Sequence, residues 1–153
     1  AITTTLLRVI PSVKTTNYMP AILAMNKAKK IGFDDAIYMN AKQELLEGTI
    51  SNLCFFQNGT LITSDSDQIV KGVTRSILLE LAKPHFPIVY RSLPFEEIPS
   101  CQEAFLCSSR KGVAPLVQID HLPIGSGLPG PCTQKLRGLF QEYVTNYFAS
   151  CKI

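Results

Sequence analysis

The chain has 153 residues, 46% of them hydrophobic and 18% charged, a balance typical of one globular domain and not of a disordered chain. Its net charge of +3 is spread along the chain, so the composition gives no sign of a nucleic-acid-binding surface. No stretch approaches the roughly 20 apolar residues of a membrane span. Five scattered cysteines without a C-x-x-C pair favour a reduced, cytoplasmic protein with free thiols.

Hydrophobic periodicity and turn residues divide the chain into short alternating elements. Asn58-Gly59 is the clearest local signal, because this pair readily adopts the positive φ angles of a tight hairpin turn. Pro20 and Gly32 bracket a helix, since proline suits the first helical turn and glycine often follows the last. In chain order, the predicted strands are 3–10, 35–39, 52–57, 87–91, 103–108 and 115–120, and the predicted helices are 20–31, 74–83 and 132–149.

Strands and helices alternate along the chain, but hairpins are mixed in. This order favours an α/β fold with a mixed sheet and packed helices over a purely parallel Rossmann sheet. Neither a G-x-G-x-x-G motif nor a Walker loop is present in the sequence, so no nucleotide site is predicted. The two histidines lie beside prolines in predicted loops, and no metal-ligand spacing or Ser/His/Asp set is found.

Lys14 lies between the end of a predicted strand and the start of a predicted helix. A lysine held at such a junction is a candidate Schiff-base nucleophile when its surroundings favour the neutral amine. Most lysines are exposed and solvated, so the position gains weight only in combination with others.

Three further positions carry groups that could hold an anion and a cationic ring. Glu47, beside a glycine, could face a ring nitrogen, although a surface glutamate in a turn is the plainer interpretation. Thr74 opens a predicted helix behind Gly72, so it belongs either to an anion site or to an ordinary N-cap. Ser109 lies in a polar turn after an apolar strand and could bind a second phosphate oxygen.

Taken in order, these positions resemble one family. The segment K-T-T-N-Y-M-P begins at Lys14, E-G-T-I-S-N begins at Glu47, and K-G-V-T-R begins at Lys71. Together they resemble the class IV aminotransferases, pyridoxal phosphate (PLP) enzymes that include branched-chain and D-amino-acid aminotransferases and 4-amino-4-deoxychorismate lyase. The resemblance covers essentially the whole chain. It implies the large C-terminal, cofactor-binding domain of the D-amino-acid aminotransferase-like fold, called fold type IV.

The resemblance implies a role for each matched residue. Lys14 would form the Schiff base with PLP and move the substrate α-proton. Glu47 would keep the pyridine nitrogen protonated, which makes the ring an electron sink. Tyr18 falls near the ring's phenolic oxygen, although its spacing from Lys14 is one residue shorter than in the branched-chain enzymes and fits the Lys-x-x-Asn pattern of the D-amino-acid and lyase branches. The other implied contacts are ring packing by Val70 and phosphate binding by Val73, Thr74 and Ser109.

The activity implied by the resemblance is amino-group transfer between an amino acid and a 2-oxo acid. The turn that carries Ser109 resembles the lyase branch more, so release of pyruvate and 4-aminobenzoate, a step of folate synthesis, is the alternative. Arg110 or Lys111 is expected either to meet a substrate carboxylate or to be a solvated surface charge. A catalytically inactive domain of the same fold is a third interpretation.

Members of the family carry a smaller N-terminal domain that this chain lacks. We therefore expect a fragment, weak or inactive by itself, of a protein that forms homodimers. Small-molecule amino and oxo acids are the expected partners, with no nucleic acid and no membrane.

Overall fold

The computed structural model describes residues 1–150 and confirms the predicted α/β class. Nine strands form one mixed sheet, two short strands form a separate ribbon, and three α-helices are present in this part of the chain. The helices are α1 (Met19–Lys30), α2 (Val73–Ala82) and α3 (Pro131–Ser150), and a 3₁₀-helix spans Phe95–Ser100. The strands are β1 (Ile2–Thr4), β2 (Ala36–Met39), β3 (Glu44–Gly48), β4 (Ser51–Gln57), β5 (Thr60–Thr63), β6 (Ile88–Tyr90), β7 (Leu93–Pro94), β8 (Glu103–Ser108), β9 (Gly112–Pro115), β10 (Gln118–Ile119) and β11 (Leu122–Pro123).

The sheet runs in the order β1-β2-β3-β4-β5-β6, with parallel pairs β1–β2 and β5–β6. Strand β4 lies at its centre, because it pairs antiparallel with β3, β5 and β8. Strand β8 continues to β9, and β7 pairs with β3. This arrangement brings the β3–β4 hairpin next to the turn that follows β8.

Two hydrophobic clusters cover the two sides of the central strands. Leu53 and Phe55 of β4 pack in one cluster, with Ile98 of the 3₁₀-helix. Phe56 of β4 packs in the other, with Leu78 of α2 and Leu136 of α3. Alternate residues of one strand therefore point into different clusters, as expected for a strand buried on both faces. No helix among residues 1–150 is both long enough and apolar enough to cross a membrane.

The strongest local predictions are confirmed. Asn58 and Gly59 form the β4–β5 turn with φ angles of 50° and 74°. Pro20 lies in the first turn of α1, and Gly32 follows its end with a φ angle of 84°.

Three strand predictions need correction. The first strand ends at Thr4 instead of residue 10, because the Leu6 N–H turns back to the Thr4 hydroxyl at 3.2 Å and the chain leaves the sheet. Strand β3 was not predicted, since its sequence E-L-L-E-G has no β-branched residue. The predicted strand 115–120 overlaps only the last residue of β9 and includes β10, and these two strands belong to different sheets.

Candidate active site

A cavity of about 430 Å³ lies where four stretches of chain meet, within the usual size of a small-molecule site. Its walls come from the segment before α1, the β3–β4 hairpin, the start of α2 and the turn after β8. These stretches carry the motifs singled out in the sequence. The cavity is lined by eight of the proposed site residues: Lys14, Tyr18, Glu47, Val70, Val73, Thr74, Ser109 and Arg110.

Glu47 is buried, with 3% of its surface exposed, so the interpretation as a surface glutamate is wrong. Its carboxylate accepts a hydrogen bond from the Val70 N–H at 3.2 Å and one from the Asn52 side-chain amide at 3.3 Å. It also forms an ion pair with Arg8. A buried carboxylate that lines a cavity and is held by such donors is suited to face a cationic group.

Asn52 connects the carboxylate to the start of α2. Its Nδ2 donates to the Val70 carbonyl at 2.6 Å, and its Oδ1 accepts from the Gly72 N–H at 3.1 Å. The hairpin that carries Glu47 and the loop that leads to Thr74 are therefore joined by one side chain. Because Asn52 is only 5% exposed, water competes little for these bonds.

The start of α2 is suited to bind an anion. The helix begins at Val73, so Thr74 is its second residue and not its N-cap, and no side chain of the described residues caps it. The N–H groups of the first turn are thus free of helix partners, and the helix dipole favours negative charge there. The Thr74 and Ser109 hydroxyl oxygens lie 3.4 Å apart at this place. The hydroxyls of the two residues that were predicted to bind phosphate, Thr74 and Ser109, are therefore close together.

Lys14 lies on the irregular segment between β1 and α1 and is exposed to solvent. Its Nζ donates to the Tyr18 hydroxyl at 3.2 Å and lies 5.9 Å from the centre of the Tyr18 ring. The described residues therefore leave this amine in contact with water. They do place it on the border of the same cavity as Glu47.

The two candidate substrate cations are placed differently. Arg110 is exposed and lines the cavity. Lys111 instead forms an ion pair with Asp35, which is 3% exposed and also accepts a hydrogen bond from the Thr49 hydroxyl at 2.5 Å. The amine of Lys111 is thus engaged by Asp35, and Lys111 does not line the cavity.

Among the cavity residues that had no role assigned from the sequence are Arg8, Ser51 and Asn52. Asn52 closes the E-G-T-I-S-N motif, and Arg8 is a single charge in an apolar, β-branched run; both are signals that could have been used. Ser51 Oγ is buried without a hydrogen-bond partner among residues 1–150, as expected of an atom placed for a ligand.

The donor set fits PLP. A primary amine suits an aldehyde, a buried carboxylate suits a protonated ring nitrogen, and two hydroxyls at a helix N-terminus suit a phosphate. These three groups belong to Lys14, Glu47 and the Thr74–Ser109 pair, and they all line one cavity.

Comparison with known proteins gives the same assignment. A branched-chain-amino-acid aminotransferase of Pseudomonas aeruginosa is 29% identical over 129 residues, which cover 84% of this chain and 42% of that protein. Among solved structures, the branched-chain amino acid aminotransferase of Thermobaculum terrenum in its PLP form superposes with a TM-score of 0.88 at 29% identity, covering 95% of this chain and 50% of that one. A Legionella pneumophila protein named provisionally as 4-amino-4-deoxychorismate lyase has a TM-score of 0.84 at 27% identity, covering 92% and 54%.

The chain spans less than half the length of the curated branched-chain aminotransferase relatives that it matches. The family model for amino-transferase class IV matches residues 7–119, which include all three motifs. The fold of the neighbours is that of the fold type IV PLP enzymes. The chain belongs to the class IV aminotransferase family.

Proposed function

We propose that the chain binds PLP through Lys14 and takes part in amino-group transfer between an amino acid and a 2-oxo acid. One observation carries the proposal: Lys14, the buried Glu47 and the Thr74–Ser109 hydroxyl pair line a single cavity. Each of these groups matches a different functional group of the cofactor. The named relatives that act as aminotransferases support the reaction class.

Bound PLP would supply an electron sink for the substrate's α-carbon. Lys14 would attach the cofactor through its Nζ and, as a general base and acid, move the proton at the α-carbon. Glu47 would hold a proton on the ring nitrogen. Tyr18 would contact the phenolic oxygen, while Val70 would pack on the ring and Val73 would donate its N–H to the phosphate.

We propose that the substrate carboxylate binds to Arg110 in preference to Lys111. Arg110 is exposed at the cavity, whereas the Lys111 amine is engaged by the buried Asp35. A guanidinium also binds a carboxylate through two parallel hydrogen bonds, which fixes its orientation.

We also propose that the protein works in the cytoplasm as a homodimer. Four of the five cysteines are free thiols, which suits a reducing compartment, and Cys151 lies outside the described residues. Beside the cavity, α1 exposes Met19 (60%), Ile22 (47%) and Leu23 (51%). A patch of large apolar side chains at the mouth of a site is suited to be covered by protein.

The alternative is a lyase that releases pyruvate and 4-aminobenzoate from aminodeoxychorismate. Two observations favour it: the Legionella neighbour, and the short spacing between Lys14 and Asn17. Lys14 and Glu47 would serve both reactions, so these residues do not separate them.

The first test is an absorbance scan of the protein with PLP, followed by borohydride reduction and peptide mapping. We expect a visible band that reduction removes, with the cofactor fixed on the peptide that contains Lys14. A band fixed on another lysine, or the same label in Lys14→Ala, would contradict the proposal. Lys135 on α3 is a matched control, and Lys135→Ala should keep both the band and the label.

The second test separates the two reactions. The loaded protein is incubated with branched-chain L-amino acids, with D-alanine, and with aminodeoxychorismate. Loss of the visible band with formation of a 2-oxo acid supports amino-group transfer, whereas pyruvate and 4-aminobenzoate in equal amounts support the lyase.

A further inference from the structure

The segment that carries Lys14 is held to the rest of the protein by very little. Between β1 and α1 the chain has no regular structure. Within residues 1–150, the hydrogen bonds of residues 5–17 join partners no more than four positions apart, as in the contacts of Leu6 with Thr4 and of Lys14 with Tyr18. The exception among polar contacts is the ion pair of Arg8 with Glu47.

Arg8 is well placed to act as an anchor. Only 18% of its side chain is exposed, and its guanidinium carbon lies 5.8 Å from the centre of the Tyr38 ring. The preceding residue, Leu7, packs against the buried cluster of Tyr38, Leu46 and Ile69. The cation is therefore partly desolvated beside an aromatic face, where its attraction to a carboxylate is stronger than in water.

Glu47 in turn needs a positive partner. Its side chain is 4% exposed, and burial of a carboxylate without a cation favours the neutral acid. The other groups that contact it, the Val70 N–H and the Asn52 amide, are uncharged. Among the described residues, Arg8 is therefore the cation that pairs with this carboxylate and favours its charged form.

We propose that Arg8 is a positioning residue, which through its ion pair with Glu47 both anchors the Lys14 segment and keeps Glu47 charged for the ring nitrogen. The second half of this inference depends on the proposed function; the first half does not. A proton between the Glu47 carboxylate and the ring nitrogen of bound PLP could be held by either group. Because Arg8 pairs with Glu47, it would stabilise the carboxylate and so favour the proton on the ring nitrogen. One contact therefore couples the attachment lysine to the electronic state of the ring.

Cleavage by endoproteinase Lys-C, which cuts after lysine, tests the anchor without cofactor. We expect Arg8→Met to raise the rate of cleavage after Lys14 on the order of tenfold, because cleavage follows the population of the detached segment. Cleavage after Lys42, in the turn before β3, serves as the internal reference. A rate after Lys14 equal to that of the unchanged protein would overturn the anchor.

Three variants distinguish the ion pair from a general loss of packing. Arg8→Lys keeps the charge and should restore most of the protection at Lys14. Glu47→Gln should raise cleavage as much as Arg8→Met, and the double variant should add nothing further, because both remove the same contact. Arg137→Met, an exposed change on α3, should have no effect. Additive effects in the double variant would contradict the proposed pair.

The ring-nitrogen half is tested with PLP labelled with ¹⁵N in the ring. In the loaded protein we expect the nitrogen signal of Arg8→Met to shift toward that of neutral pyridine, and that of Arg8→Lys to stay near the unchanged protein. An unshifted signal in Arg8→Met would overturn this half. If PLP does not attach to Lys14 at all, the proposed function fails and this half with it, while the cleavage result still decides the anchor.

Discussion

Asn52 holds the Val70 carbonyl at 2.6 Å with the same side-chain amide that contacts Glu47. The Oδ1 atom of Asn52 accepts a hydrogen bond from the Gly72 N–H at 3.1 Å. The carboxylate expected at one end of the cofactor and the helix start expected at the other are therefore joined through a single buried residue. The separation of the two groups is set by protein contacts before any ligand enters.

Replacing Asn52 with alanine should loosen this connection. We expect the free energy of unfolding to fall by about 1–3 kcal/mol, because the Val70 carbonyl and the Gly72 N–H lose a buried partner. PLP affinity should fall as well, since Glu47 and α2 are no longer held together. Denaturant unfolding and PLP titration measure the two effects. Asn146→Ala, at an exposed position of α3, is the matched control; equal losses in the two variants would contradict the role of Asn52.

Gly72 is required because its neighbour Asn52 is so close. A Cβ at position 72 would lie 2.3 Å from Asn52 Oδ1, so Gly72→Ala should force the amide away and weaken PLP binding. Gly138, inside α3, has no atom within 4 Å of such a Cβ. Gly138→Ala should therefore stabilise the protein by up to about 1 kcal/mol through helix propensity. Thermal unfolding of both variants checks the prediction, and a stabilised Gly72→Ala would refute it.

Glu103 of β8 caps helix α3 from outside. Its carboxylate accepts the N–H of Cys132 at 2.9 Å and of Thr133 at 2.7 Å. Glu103→Ala should lower the free energy of unfolding by about 1–3 kcal/mol, because buried N–H groups lose charged acceptors. Glu142→Ala, exposed on α3, should change it little. Urea unfolding of the two variants decides, and similar midpoints would argue against the cap.

Lys111 is expected to matter for stability more than for substrate. Lys111→Met leaves Asp35 as a buried charge without its cation, which should cost about 3 kcal/mol. Lys83 forms a comparable pair with Glu80 on the surface, and Lys83→Met should have little effect because water screens that pair. Urea unfolding gives both values. If Lys111→Met is as stable as the unchanged protein but binds substrate poorly, the role in substrate binding is favoured.

Burial raises the pKa of the Cys101 thiol to about 11, with help from the nearby Glu97 carboxylate. In the unfolded chain this thiol ionises near its ordinary pKa of 9.0. The contribution of this buried thiol to the free energy of unfolding is therefore complete below pH 9. It is lost between pH 9 and 11, and the loss is about 3 kcal/mol at most. Unfolding measured from pH 8 to 11 should show a shallower decline in Cys101→Ala, and parallel curves would contradict the assignment.

The sequence predicted best where a local rule determines the structure. The Asn58-Gly59 turn needs no tertiary information, because its φ angles follow from the two residues themselves. The motifs at Lys14, Glu47 and Lys71 were likewise visible as ordered strings, and the structure brings them to one cavity.

The sequence predicted less well where contacts between residues far apart in the chain determine the structure. Burial of Glu47 depends on β2 and β4 on either side of β3, which no local pattern reveals. Arg8 was hidden in an apparent strand, because the exit of the chain after Thr4 is set by a side-chain contact and not by β propensity. Lys111 is engaged by the buried Asp35, which is far away in sequence, and it does not line the cavity.

The central position of β4 also has a kinetic consequence. Its pairing with β5 is local and can form early, whereas its pairing with β8 joins residues 52 and 107 and requires closure of a long loop. Ser109 follows β8, so it reaches Thr74 only after that slow step. During refolding, the capacity to bind phosphate should therefore appear only after β4 has paired with β8. The time course of cofactor binding would then report when this pairing is complete.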